Sequence, residues 1–225
     1  GRVSEVALGA SAIGGVFYIA IYFVGFGFSQ GAQIIIARRN GERNYADIGP
    51  IFNNALLFNS VLAALVFLAS YLSMPYLIRY LVHSDQVYAA TVEFLNWRIY
   101  GFFFAFLNVV FRAFFVGITR TKVLTISAVI TAVTNVVLDY VLIFGKFGFP
   151  EWGIAGAAIA STLAELTSLI YLVIITLKLK DKHIFNLFKF DKIDFQTIGK
   201  ILSLSVFIMF QYFISISTWF MFFIF

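Results

Sequence analysis

Asp139 lies well inside the apolar run 123–145, with Asn135 four residues before it. On a helix that spacing puts both side chains on one face. Ionisable groups inside membrane-grade apolar runs are rare and expensive, and they mark ion or substrate paths. A carboxylate with an amide one turn away can hold a proton. It can equally offer hard oxygen ligands to a cation such as Na⁺, in which case Asp139 and Asn135 are the metal ligands. The same pair also fits a polar tie between two helices.

Glu165 lies midway along the next apolar run, with Ser161 one turn before it and Thr162 and Ser168 nearby. It fits a second titrating carboxylate lining a cavity, and equally a helix–helix contact. Arg112 sits about one turn from the cytoplasmic end of its run, where a long side chain snorkels to the interface. Glu93 and Arg98, near the opposite end of that run, read as further headgroup anchors. Trp97, Tyr100 and Trp152 fit an aromatic belt. Gly25, Gly27 and Gly31 do not form the G-x-G-x-x-G nucleotide fingerprint and follow no strand, so close helix packing explains them. Asn53, Asn54, Asn59 and Asn108 are placed to line a cavity, without one standing out.

These residues need membrane helices to hold them. Apolar residues make up 61% of the 225 positions and charged residues 12%. A soluble domain carries about 25% charged residues. Mean hydropathy is +0.94, and Phe alone occurs 29 times. Six runs reach the roughly 20 residues that cross hydrocarbon: 9–37, 51–78, 94–118, 123–145, 153–177 and 199–225. Backbone groups in lipid must be paired within their own segment, so the runs predict helices, and their continuity argues against a β-barrel. The fold expected is an all-α, polytopic transmembrane bundle of about six spans.

Charge sets the orientation. Arg38, Arg39, Arg43, Arg120, Lys122, Lys178, Lys180, Lys182, Lys189, Lys192 and Lys200 fall on one side. Arg2, Arg79 and Lys146 fall on the other. The positive-inside rule places the first set in the cytoplasm. That clustering explains the net charge of +5 without nucleic acid. There are no cysteines, so disulfides and thiolate metal sites are excluded, and no cofactor is expected. No HExxH motif is present, and an aspartyl protease needs two deep aspartates where only Asp139 qualifies. An enzyme is therefore not expected. The segment 184–190 alternates apolar and polar residues and predicts either an interfacial amphipathic connector or a solvated loop. The chain begins without Met and stops inside an apolar run, as a fragment of a longer protein would.

The stretch Asn135 to Gly145, followed by Gly153 to Ser161, resembles the N-x-x-L-D … G-x-A-G-A-A-x-A-T segment of multidrug and toxic compound extrusion (MATE) transporters. Phe111 to Thr121 is similar to the R-G-x-x-x-G-x-x-x-T end of their helix four. Gly27 to Gln33, with Arg39 to Glu42, resembles the end of helix two and its loop. The resemblance implies helices two to seven of such a transporter. Residues 1–180 would be the N-lobe bundle, 181–198 the cytoplasmic connector, and 199–225 the first helix of a second lobe that is otherwise missing. It implies export of small organic cations, coupled to H⁺ or Na⁺, across a bacterial-type cytoplasmic membrane by a multi-pass protein among membrane lipids. Asn135, Asp139 and Ser161 would be the cation-coupling set, Ser161 keeping the hydroxyl of the family's Thr. The family's helix-one Asp would precede Gly1. Phe207 stands where many members carry Pro, and Gln211 is a further cavity-lining candidate. The alternative is a related lipid or polysaccharide flippase, disfavoured by the scarcity of mid-membrane basic residues. A single lobe is not expected to transport alone.

Overall fold

The computed structural model describes residues 5–180, 183–190 and 193–224. Arg2, Lys182 and Lys192 of the charge count, and the side chains of 219–225, lie outside the described residues. Among the described residues seven α-helices follow one another: α1 (Glu5–Gly41), α2 (Ile48–Leu81), α3 (Asp85–Arg98), α4 (Gly101–Gly117), α5 (Lys122–Ile143), α6 (Gly153–Leu177) and α7 (Phe195–Ile224). A 3₁₀ turn at Tyr45–Asp47 precedes α2. No strand occurs among the described residues.

Each helix of the expected bundle is present, with local differences. The runs 9–37 and 51–78 become helices of 37 and 34 residues, longer than apolar patterning alone marks. The run 94–118 is not one straight helix. It is α3 and α4, joined through Ile99 and Tyr100 with a bend of 52°. Among the described residues four stretches are long and apolar enough to cross a membrane, and the bent pair, taken as one span, makes up to five. The sixth expected run lies within α7.

Helix ends follow their local chemistry. Gly145 takes φ +59° just past α5, and Lys146 N–H donates to Val141 O at 3.0 Å, a Schellman closure that satisfies an orphan carbonyl. Thr119 at φ +60°, with Arg120 N–H on Phe115 O, closes α4 the same way. Ser84 caps α3 by accepting from Val87 N–H. Pro50 falls in the first turn of α2, where its missing donor costs nothing.

The described chain divides into two compact units. One holds the first part of α1 to Ile21, residues 63–105 and residues 126–171. Its core joins Met74, Ile78 and Val82 of α2 and its end to Phe94 and Leu95 of α3 and Ala158 of α6. The other holds residues 22–62, 106–125 and the chain from Leu172 onward. There Phe52 packs on Phe111 and Phe114 with centroids 5.2 and 5.1 Å apart, and Phe28 stacks on Phe58 at 4.1 Å. Gly31 lets α7 close onto α1. A Cβ there would run into Ser205 Oγ and Ile201 O, and Ser205 Oγ donates to Phe28 O at 3.0 Å. Close approach is thus the use of Gly31, as its type suggested. Many other large apolar side chains face outward, as Leu65, Leu68, Leu72 and Tyr76 do on α2 and Val129, Val133, Val136 and Tyr140 on α5. Such stripes suit a lipid surround.

The connector is not a solvated loop. Residues 183–188 form consecutive turns, with Phe185 and Leu187 buried and their neighbours more exposed. Two asparagines hold it. Asn53 Nδ2 donates to Lys189 O at 2.9 Å and its Oδ1 accepts from Phe188 N–H at 2.9 Å. Asn54 Oδ1 accepts from Asp194 N–H at 2.8 Å. Asn53 and Asn54 therefore tether the connector rather than line a cavity. Asn53→Ala strands two backbone groups, each worth about 1–3 kcal/mol. Limited proteolysis should cut residues 183–190 faster in the variant; an unchanged rate would contradict the tether.

Candidate functional site

Asp139 and Asn135 project from α5, and Ser161 from α6. Asn135 Nδ2 donates to Ser161 Oγ at 3.2 Å. Ser127 Oγ and Ser168 Oγ lie 2.7 Å apart two turns toward the start of α5. At the other end the Cβ position of Gly156 comes within 2.7 Å of Leu142 C and O. These contacts share one antiparallel register, and in it Asp139 falls opposite Ala157 and Ala158. The α6 neighbours across from the carboxylate therefore bring no side-chain donor. Asp139 Oδ1 is shut off from the surface and has no hydrogen-bond partner. A buried charge without partners is expensive, so this oxygen suits a proton or a bound cation. With Nδ2 given to Ser161, Asn135 has only its carbonyl oxygen left, an acceptor. The structure thus brings Asn135 and Ser161 into contact and leaves Asp139 open one turn along.

Glu165 has other company. Arg98 Nη2 donates to Glu165 Oε1 at 2.5 Å and Nη1 to Oε2 at 3.1 Å. Tyr18 Oη donates to Oε2 at 2.8 Å. The guanidinium lies 3.5 Å over the Tyr18 ring, which stacks on Phe102 at 4.6 Å. Arg98 is thus no headgroup anchor: its side chain is only 11% exposed and that of Glu165 19%. Gly101 makes room, since a Cβ there would meet Arg98 Nη1, Glu165 Oε2 and Tyr18 Oη. Sequence reasoning missed this cluster, although a signal existed. A carboxylate inside a span calls for a counter-charge, and Arg98 is one of few cations on the side opposite the basic loops. Gln211 is exposed on α7, next to Tyr212 in the second unit.

Residues 1–141 match the MatE family model. The chain belongs to the MatE family. Asn135 and Asp139 fall within the matched stretch, near its end; Ser161, Glu165 and Gln211 fall beyond it. A probable multidrug resistance protein NorM of Rhizobium meliloti is 26% identical over 207 residues, covering 92% of this chain and 44% of that relative. One of the same description from Listeria monocytogenes is 29% identical over 161 residues, 72% of this chain and 35% of the relative. The chain therefore spans less than half the length of these MatE relatives. Among solved structures, a MATE crystal structure in the bent conformation aligns with TM-score 0.81 at 20% identity, over 90% of this chain and 44% of that one. A transporter of the MOP superfamily from Pyrococcus furiosus aligns with TM-score 0.81 at 19% identity over the same shares. At those identities the likeness establishes the MATE fold.

Proposed function

We propose that this chain is the N-lobe part of a secondary active exporter that moves organic cations and drugs out of the cell in exchange for H⁺ or Na⁺. In this reading it is no enzyme, it carries no cofactor, and it sits in a bacterial-type cytoplasmic membrane. The second lobe comes from the rest of the same polypeptide. The observation that carries the reading is Asp139 Oδ1, buried and unpartnered on α5 beside the Asn135–Ser161 bridge. A group left in that condition gains most from an ion. Family membership supplies the direction of the chemistry.

The residues divide the work. Asp139 takes the coupling ion on its open oxygen. The Asn135 carbonyl completes the ligand set or accepts from a protonated carboxyl. Ser161 holds the Asn135 amide in place from α6. Ion binding shifts the lobe between states only by the difference in its affinity for them. An ion held by Asp139 and Asn135, whose amide Ser161 fixes from α6, supplies such a difference if the α5–α6 register changes.

Efflux of a fluorescent organic cation from cells expressing the complete gene tests the proposal. Imposed proton or sodium gradients should accelerate efflux, and the effective gradient names the ion. Asp139→Asn should abolish the gradient-driven component at equal membrane abundance. Efflux that ignores this substitution removes Asp139 from coupling. No wild-type efflux across several dyes would turn the reading toward lipid or polysaccharide export.

A further inference from the structure

The cytoplasmic end of the second unit carries an apolar and basic strip that the exporter reading does not use. Asn53 and Asn54 pin the connector to α2, and Phe185 and Leu187 turn inward. Outward stand Ile184, Phe190, Ile193 and Phe195, each more than half exposed. A surface that meets only water rarely gathers so many large apolar groups.

The packing of α7 on α1 gives the depth of this strip. Ser205 Oγ donates to Phe28 O, Gly31 lies against Ile201 and Ser205, and Phe23 stacks on Tyr212 at 4.9 Å. These contacts share an antiparallel register. Ten residues back from Ser205 is Phe195, and ten residues on from Phe28 is Arg38. Both helices rise about 1.5 Å per residue. Phe195 therefore stands level with Arg38 and Arg39 in the last turn of α1. The positive-inside rule sets that pair at the cytoplasmic headgroups. Ile193 and Phe195 thus lie at a depth where apolar side chains enter the acyl boundary.

Charge at the same level is left over. Glu42 takes Arg38 and Arg39, and Asp47 takes Arg39. Asp194 has both oxygens on the first turn of α7, accepting from Gln196 N–H and Thr197 Oγ1. No ion pair among the described residues takes Lys189 or Lys200. Both are exposed, and Lys189 Nζ donates to the neutral amide oxygen of Asn186 at 2.8 Å. Lys200 sits little more than one turn into α7. Helical side chains tilt toward the N-terminus of their helix, so its ammonium reaches back to the headgroup level.

We propose that the connector and the start of α7 form a seat for anionic phospholipid of the cytoplasmic leaflet. Lys189 and Lys200 take the phosphate, and Phe190, Ile193 and Phe195 enter the acyl boundary. A lysine ammonium is a compact charge that suits a phosphodiester, and basic groups beside a membrane helix draw anionic lipid. A zwitterionic lipid offsets its phosphate with its own ammonium and leaves the lysines less to gain. The seat goes beyond the exporter reading, uses none of the Asp139 residues, and stands whether or not the protein exports.

The test puts an NBD fluorophore on Gln196→Cys, an exposed position beside Phe195, in purified full-length protein with any native cysteine replaced. Nanodiscs run from pure phosphatidylcholine through rising fractions of phosphatidylglycerol. Emission should move to the blue as phosphatidylglycerol rises, and a headgroup nitroxide should quench it. Lys189→Gln and Lys200→Gln should each raise the phosphatidylglycerol fraction at half-change roughly fivefold, the effect of one lysine at an anionic surface. The double variant should show no shift over the range, and Phe195→Ser should lessen the quenching. Melting temperatures in pure phosphatidylcholine should match the wild type, since none of these side chains is buried. Emission that ignores phosphatidylglycerol would overturn the seat. A probe that stays in water would mean no lipid contact, and one already covered in pure phosphatidylcholine would mean that the rest of the polypeptide lies there. A blue shift that survives in the double lysine variant would also overturn it, because the headgroup charge would then go unread.

Discussion

Glu165→Ala is expected to cost about 3–5 kcal/mol of stability, because it strands the Arg98 charge inside the bundle. Two guanidinium hydrogen bonds and the Tyr18 hydroxyl lose their acceptor at once. The pair itself need not contribute that much. Replacing both partners by apolar side chains of similar volume is often neutral, because two desolvation penalties vanish with the attraction. The double variant Arg98→Met, Glu165→Leu should therefore melt near the wild type, while each single change melts well below it. A Glu165→Ala protein that melts like the wild type would refute the buried pair. The same double variant decides what Glu165 does. If it folds and exports normally, Glu165 is a structural counter-ion. If it folds and loses efflux, Glu165 belongs to the substrate or ion path, as its place midway along an apolar run suggests.

The membrane helices were legible because lipid removes the usual ambiguity. A long apolar run must satisfy its own backbone, so length and composition alone imply a helix. What composition could not place were the breaks. The joint between α3 and α4 leaves no apolar gap, since Ile99, Tyr100 and Gly101 read as part of one run. The bend comes with tertiary contacts, the Arg98–Glu165 clasp and the cramped Gly101. Helix length was underestimated for a similar reason. The ends of α1 and α2 carry polar residues that the hydrophobic pattern excludes, and exposed pairs such as Arg38 with Glu42 (2.8 Å) lie there.

Polar residues divided by the kind of partner they need. Asn135 and Asp139 were legible as a pair, since four residues along one helix fix a shared face. The α6 partner of Asn135 rested on the MATE resemblance, which named Ser161. Arg98, Glu165 and Tyr18 come from three helices separated by long stretches of chain, and no periodicity joins them. Asn53 and Asn54 looked like cavity groups because their partners are backbone atoms of a distant loop. Backbone leaves no mark of that kind on side-chain types. Arg112, read along its own helix as an interfacial anchor, has its guanidinium over the Phe26 ring of α1, 5.6 Å from the centroid, a partner no spacing on α4 could name.

On the exporter reading, Gly156→Val is expected to remove gradient-driven efflux, and Gly156→Ala to weaken it, through the spacing of α5 and α6. The Cβ position of Gly156 lies 2.7 Å from Leu142 C and O and 3.0 Å from Ile143 N. All three are backbone atoms, which cannot swing aside as a side chain can. The helices must separate, at a cost of about 1–3 kcal/mol for overpacking, and more for Val than Ala. That separation acts within one turn of Asp139 and pulls on the Asn135–Ser161 hydrogen bond, already 3.2 Å long. Ion ligands fail under small displacements, so efflux should fall further than stability does. Gly15→Ala is the control. Nothing lies within 4 Å of its Cβ position, and exchanging Gly for Ala within a helix gains roughly 0.5–1 kcal/mol. Efflux and melting temperature measured together separate the cases. Gly156→Ala should lower both, efflux more than melting temperature, and Gly15→Ala neither. Wild-type efflux from a stable Gly156→Val protein would mean that the α5–α6 seam does not set the geometry of the Asp139 site.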